Sequence, residues 1–231
     1  MNRLPLGVLG AGSAIAAGAV SYSTLARDRC LHWGATPDEV ARSMPGDLLL
    51  AQPEIVTTRA VSIDAPSAAI WPWLVQMGPD RGGVYTYDWI ENLLGLHVHS
   101  TERILPQFQH LEVGDGQRLG SSGPVLRVAI LDPEHALVLA SDDGHWSWAF
   151  GLYPDDGPST RLVSRNRIAL GDAALPSRLA YTYLMEPGSL VMERKMLLGI
   201  KHRAEHLHAT TPDPTPRADA PDPSPVETLS R

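Results

Sequence analysis

"PSRLAYTYLMEPGSLVMERKMLLGIKHRAEHLHA", residues 176–209, decides the fold. From Gly188 onward Leu190, Val191, Met192, Met196, Leu197 and Ile200 recur with lysine and arginine between them. That is the pattern of a long amphipathic α-helix. It ends in basic residues and histidines, as the negative end of a helix dipole favours. Ahead of it the period is two rather than three-to-four. "GQRLGSSGPVLRVAILDP", "HALVLASDDG", "HWSWAFGLYP" and "TRLVSRNRIAL" read as four or five antiparallel strands. "SSGP", "DPE", "SDDG" and "PDDGPS" separate them, each a turn by composition.

Further upstream, Thr36 caps a short helix with Pro37 at its first position and Glu39 at its third, and Pro45-Gly46 stops it. "EIVTTRAVSID", 54–64, is a β-branched strand. In "PSAAIWPWLVQMG", 66–78, Ala69, Ile70, Trp73, Leu74 and Met77 form a helical apolar stripe interrupted by Pro72. "TYDWIENLLG", 86–95, predicts a second short helix capped by Thr86. The order is strand, two helices, a meander of strands, then a long helix. This is an α+β layout, with an antiparallel sheet curled round the C-terminal helix and a hollow between them.

The two ends differ from the middle. Leu4 to Ala26 carries no charged residue, enough to span a bilayer as a helix, and Arg3, Arg27 and Arg29 flank it. A membrane anchor fits best, with a cleaved signal peptide as the alternative. "GVLGAGSAIA" imitates a dinucleotide-binding turn, but Ile15 stands where the third glycine belongs. Residues 1–29 are therefore read as an N-terminal hydrophobic anchor helix packing little on the domain. Its arginines weakly favour a cytoplasmic domain at the membrane. Ala209 to Arg231 holds six prolines and reads as a disordered tail, which leaves 30–208 as the domain.

Net charge is −7, without a lysine- or arginine-dense stretch, which argues against nucleic-acid binding. The single cysteine, Cys30, forbids an internal disulfide. No serine nucleophile elbow, Cys/His pair or phosphate loop supports hydrolase chemistry.

"WGAT" at 33–36, "PGD" at 45–47, "IWPWLVQMG" at 70–78, "YTYDWIENLLG" at 85–95 and "MERKMLLGIKHRAE" at 192–205 resemble an uncharacterised actinobacterial group of the SRPBCC superfamily. This START-like superfamily of polyketide cyclase/dehydrase and lipid-transport proteins has the helix-grip fold. The resemblance covers roughly 33–207. It implies a cavity with the first helices at its entrance and the last helix as its floor, but no particular chemistry.

The candidate lining follows from both readings. Trp73 and Met77 come from the first helix, and Tyr85, Tyr87 and Trp89 from the segment at the rim. Trp146, Trp148 and Phe150 share one face of a strand, and Met192, Glu193 and Met196 belong to the last helix. Trp73, Trp148 and Met192 are expected round one space. Glu193 sits where a lone carboxylate would be expensive to bury. It is exposed, functional, or paired with an arginine such as Arg167. In "LVSRNRI", Leu162, Ser164, Asn166 and Ile168 share one face and Val163, Arg165 and Arg167 the other, with the inner face open. Asp88 and Glu91, three apart, read as a solvated helix face rather than an acid pair. His97/His99 and His202/His206 have ligand spacing without assignable partners, so no metal or cofactor is expected.

Three functions remain. The leading one is a membrane-tethered module that binds an apolar small molecule or lipid. The others are a cyclase or dehydratase built on polar cavity residues, and a domain with a filled cavity acting through protein contacts.

Overall fold

The structure is a computed structural model describing residue 18 and residues 20–93, 99–118 and 123–211. A helical segment opens it, with a wide turn at Tyr22–Ala26 leading into α1 (Arg27–Leu31). Then follow α2 (Pro37–Ala41), a 3-10 turn (Asp47–Leu50), β1 (Ile55–Ile63), α3 (Ser67–Val75) and α4 (Asp88–Leu93). The meander is β2 (Gly116–Arg118), β3 (Val125–Asp132), β4 (Ala136–Ser141), β5 (Trp146–Pro154) and β6 (Thr160–Ile168). The chain closes with α5 (Leu175–Ala180), a wide turn at Tyr181–Met185, and α6 (Glu186–Thr210).

Among the described residues the sheet has six antiparallel strands in the order β1-β6-β5-β4-β3-β2. α6 lies against its inner face. Met196, Leu197 and Ile200 interlock with Phe150 and Leu162 from the sheet and Ile70 and Leu74 from α3. This is the α+β helix-grip layout. The last helical stretch begins at Leu175, earlier than the apolar stripe suggested. It continues through Pro187, which follows the wide turn at Tyr181–Met185 and stands in the first turn of α6.

The outer face of the sheet is covered by the segment before β1. Met44 packs on Ala60, Val138, Ala149 and Val163. Gly46 permits this approach. Its φ is +88°, and a Cβ there would lie 2.5 Å from a Val138 methyl. Thr36 and Glu39 form the expected capping box. The rest of the grip is polar and was not foreseen. Arg165 donates to the carbonyls of Glu39, Val40 and Arg42, to Thr58 Oγ1 and to Asp47 Oδ2, at 2.7–3.1 Å. Arg161 pairs with Glu39 at 2.7 Å and also reaches the Gly34 carbonyl. Burial alone would raise the Glu39 carboxyl. Arg161 and the Thr36 amide outweigh that and hold it below the usual carboxylate value.

The N-terminal segment also departs from expectation where it is described. Tyr22 and Arg27 converge on the buried Glu186 of α6. The Tyr22 hydroxyl donates to Oε2 at 3.1 Å, and Arg27 donates to both oxygens at 2.9 and 2.8 Å. A buried carboxylate at this place needs a cation, and Arg27 is the one supplied. Residues 1–17 and 19, which hold most of the uncharged run, and the tail from residue 212 lie outside the described residues. Among the described residues no helix is long and apolar enough to cross a membrane.

Candidate functional site

Between the inner sheet face and α6 there is a cavity of about 470 Å³. One wall is aromatic. β5 alternation points Trp146, Trp148 and Phe150 inward. The two indoles stack with centroids 5.8 Å apart, and Phe150 lies behind Trp148 at 4.9 Å. The opposite wall is the helix, with Met185, Met192 and Met196. Ile55 and Thr57 of β1 and Asn166 and Ile168 of β6 complete the sheet side, and Val84 and Thr86 lie at the rim. The open question about β6 is thereby answered. Leu162, Ser164, Asn166 and Ile168 face inward, while Val163, Arg165 and Arg167 face outward.

At the base of this space lies a closed polar network. Arg59, fully buried, projects from β1 and forms an ion pair with Glu193 of α6. Its Nε donates to the Cys30 carbonyl and its Nη2 to Ser189 Oγ, both at 3.1 Å. Glu193 also accepts from Ser164 Oγ at 2.6 Å and from Asn166 Nδ2 at 3.3 Å. Ser164 in turn accepts from Trp148 Nε1, and Asn166 Oδ1 from Trp146 Nε1, both at 2.9 Å. The network thus fixes the rotamers of the two indoles that line the cavity. Burial raises the Glu193 carboxyl, against the opposing pull of Arg59, Ser164 and Asn166. Burial likewise pushes the Tyr181 phenol at the mouth up to about 12.

Of the expected lining, Trp146, Trp148, Met192, Glu193 and Met196 meet at this cavity. The others lie elsewhere. Trp73, Met77 and Phe150 belong to the packed core, so Trp73 does not share the space with Trp148 and Met192. The first-helix stripe is consumed by α6 and leaves nothing for the cavity. Tyr85 is a core strut. Its hydroxyl donates to the Trp73 carbonyl at 3.0 Å and accepts from Gln76 Nε2 at 3.1 Å, and burial pushes its phenol up to about 12. Tyr87 stands under Lys195, 5.7 Å from its ring, and Trp89 is 69% exposed. Arg167 is on the outer face, bound to Asp47 and the Leu50 carbonyl, so the partner of Glu193 is Arg59 instead. Asp88 accepts from the amide and hydroxyl of Ser100, at 2.9 and 2.7 Å. His97 and the Glu91 side chain lie outside what is described. Among the described residues no group of three or more His, Cys, Asp or Glu is placed to hold a metal.

Arg59 is the functional residue that sequence reasoning missed. Its signal was there: in "IVTTRAVSI" it alternates with Ile55, Val61 and Ile63 on the apolar face, where an arginine requires a carboxylate. His145 also borders the mouth, from the turn before β5.

The fold and cavity define an α+β helix-grip protein with a half-open, mostly apolar pocket between the sheet and the last helix. Solved structures of similar layout include the self-sacrificing resistance protein CalC from Micromonospora echinospora, at 10% identity and TM-score 0.42, covering 68% of this chain and 97% of that one. A Streptomyces aromatase/cyclase, Zhui, matches at 16% and 0.39, covering 66% and 94%. A polyketide-cyclase-like protein of Corynebacterium glutamicum matches at 14% and 0.32, covering 66% and 88%. No family model matches the sequence, and no curated protein does so closely.

Proposed function

We propose that this protein binds an apolar small molecule or lipid in the cavity and is held at a membrane, domain on the cytoplasmic side, by the uncharged run before Arg27. The observation that carries the binding reading is the chamber itself. Its about 470 Å³ lies within the range of small-molecule sites, roughly 300–1,000 Å³. It is walled by stacked indoles and methionines, and methionine adapts to ligands of varied shape. Its polar groups converge on one another. Both oxygens of Glu193 are engaged, which fits a floor that orients a ligand better than a free general acid.

Trp148→Ala should enlarge the chamber and change which fluorescent fatty-acid analogues bind. Its stability loss should be smaller than the ~3–5 kcal/mol of emptying a filled core. Chemical denaturation and probe titration of both forms measure this. A core-sized loss, with no probe bound by the wild type, would instead mean that the chamber is filled by its own side chains. For the tether, the full-length protein should float with phosphatidylcholine vesicles in a density gradient, and recovery at the bottom would refute it.

A further inference from the structure

The last helical stretch carries an exposed face with no free charge. Leu175, Leu179, Leu184 and Val191, and Val20 and Leu25 of the N-terminal helix, are each between 48% and 73% exposed. From Ala173 to Met192 the only charged residues are Arg178 and Glu186. Arg178 is engaged by Glu54 at 3.0 Å and by the Ala173 carbonyl, and Glu186 is buried under Arg27. The two helical pieces are locked together, since the Tyr22 and Tyr183 rings meet edge to face at 5.9 Å and Tyr22 and Arg27 bind Glu186. Tyr181, Met185 and Glu186, from the same stretch, border the cavity.

We infer that this face lies flat on a lipid bilayer and that the cavity opens beside it, so that an apolar ligand enters from the membrane without crossing water. Continuity with the N-terminal run selects the bilayer as occupant. The uncharged run from Leu4 continues directly into Val20 and Leu25, so whatever embeds the run also brings this face to the same surface. The described helices are too short or too polar to cross, so the contact is interfacial, like that of amphipathic helices lying in the headgroup region. The docking rests on this surface and on the tether proposed for the run before Arg27; entry from the bilayer also rests on the cavity holding an apolar ligand.

The test uses the full chain with an environment-sensitive NBD label at Leu184→Cys or Leu179→Cys, and at Asp156→Cys as control. Asp156 is in the β5–β6 turn, at the end of that hairpin away from Trp146 and Ile168. Cys30 is buried, and unaltered protein serves as the labelling blank. With phosphatidylcholine vesicles, the first two labels should shift to the blue and be quenched by brominated lipid, while the third stays as in water. Flotation without a blue shift at 179 or 184 would overturn the docking and leave a tether alone. A shift that grows with protein concentration in the absence of vesicles would show instead that a second copy covers the face. Leu179→Glu/Leu184→Glu should slow uptake of a fluorescent fatty acid from vesicles several-fold and leave its affinity in solution unchanged. If wild-type protein binds no fatty acid in solution, the cavity reading fails while the label result still decides the docking.

Discussion

Arg59→Met should lower stability by about 3–5 kcal/mol, the usual result of removing one partner from a buried ion pair. For a domain of this size that is a fall in Tm of roughly 6–20 °C. The guanidinium is fully enclosed, and it joins β1 to α6, to Ser189 and to the carbonyl of Cys30. Without it, Glu193 keeps only Ser164 and Asn166 and stands as an uncompensated buried charge. The double variant Arg59→Met/Glu193→Met should recover much of the loss, because both charges then leave together. Urea denaturation of the two singles and the double closes the cycle. If the single losses simply add, the pair is not the unit that holds the floor. Because Ser164 and Asn166 also hold Trp148 and Trp146, the single variant should broaden the probe-binding profile as well.

Arg165→Met should cost a similar amount, about 3–5 kcal/mol, through a different failure. Five acceptors would lose this donor, among them three backbone carbonyls of the segment 39–42, while the Asp47 carboxylate would keep the Met44 amide and Arg167. Unsatisfied buried carbonyls are expensive, so the segment should lift away from the outer face rather than stay. Limited proteolysis should then cut between residues 35 and 51 before the sheet is lost. Arg167→Met, on the same face but with a more exposed side chain and fewer bonds, is the control and should lose much less. Equal midpoints for wild type and Arg165→Met would show that Met44 and its apolar neighbours suffice to hold the segment.

The two arginines show where reading the sequence reached its limit. Periodicity identified the strands, α3 and the stripe of α6, because the alternation of two and the spacing of three-to-four follow from local backbone geometry. The capping box at Thr36 was legible for the same reason, its bonds spanning three residues. Trp146, Trp148, Met192, Glu193 and Met196 were legible as inward-facing residues on those elements.

Whether an inward face meets a neighbour or empty space is not a local property. Trp73 and Trp148 both point inward, yet Trp73 is packed in the core while Trp148 borders the chamber, a difference set by where α6 crosses the sheet. Partners across the fold were equally out of reach. Arg59 and Glu193 are 134 positions apart, and only the pairing of β1 with β6 under α6 brings them together. By itself the sequence determined the elements, their order and the chemistry available on each face. The tertiary structure decided which face of β6 is inside, which arginine neutralises Glu193, and where the layers stand apart to leave a chamber, because burial and ion pairing depend on distances that no local pattern encodes.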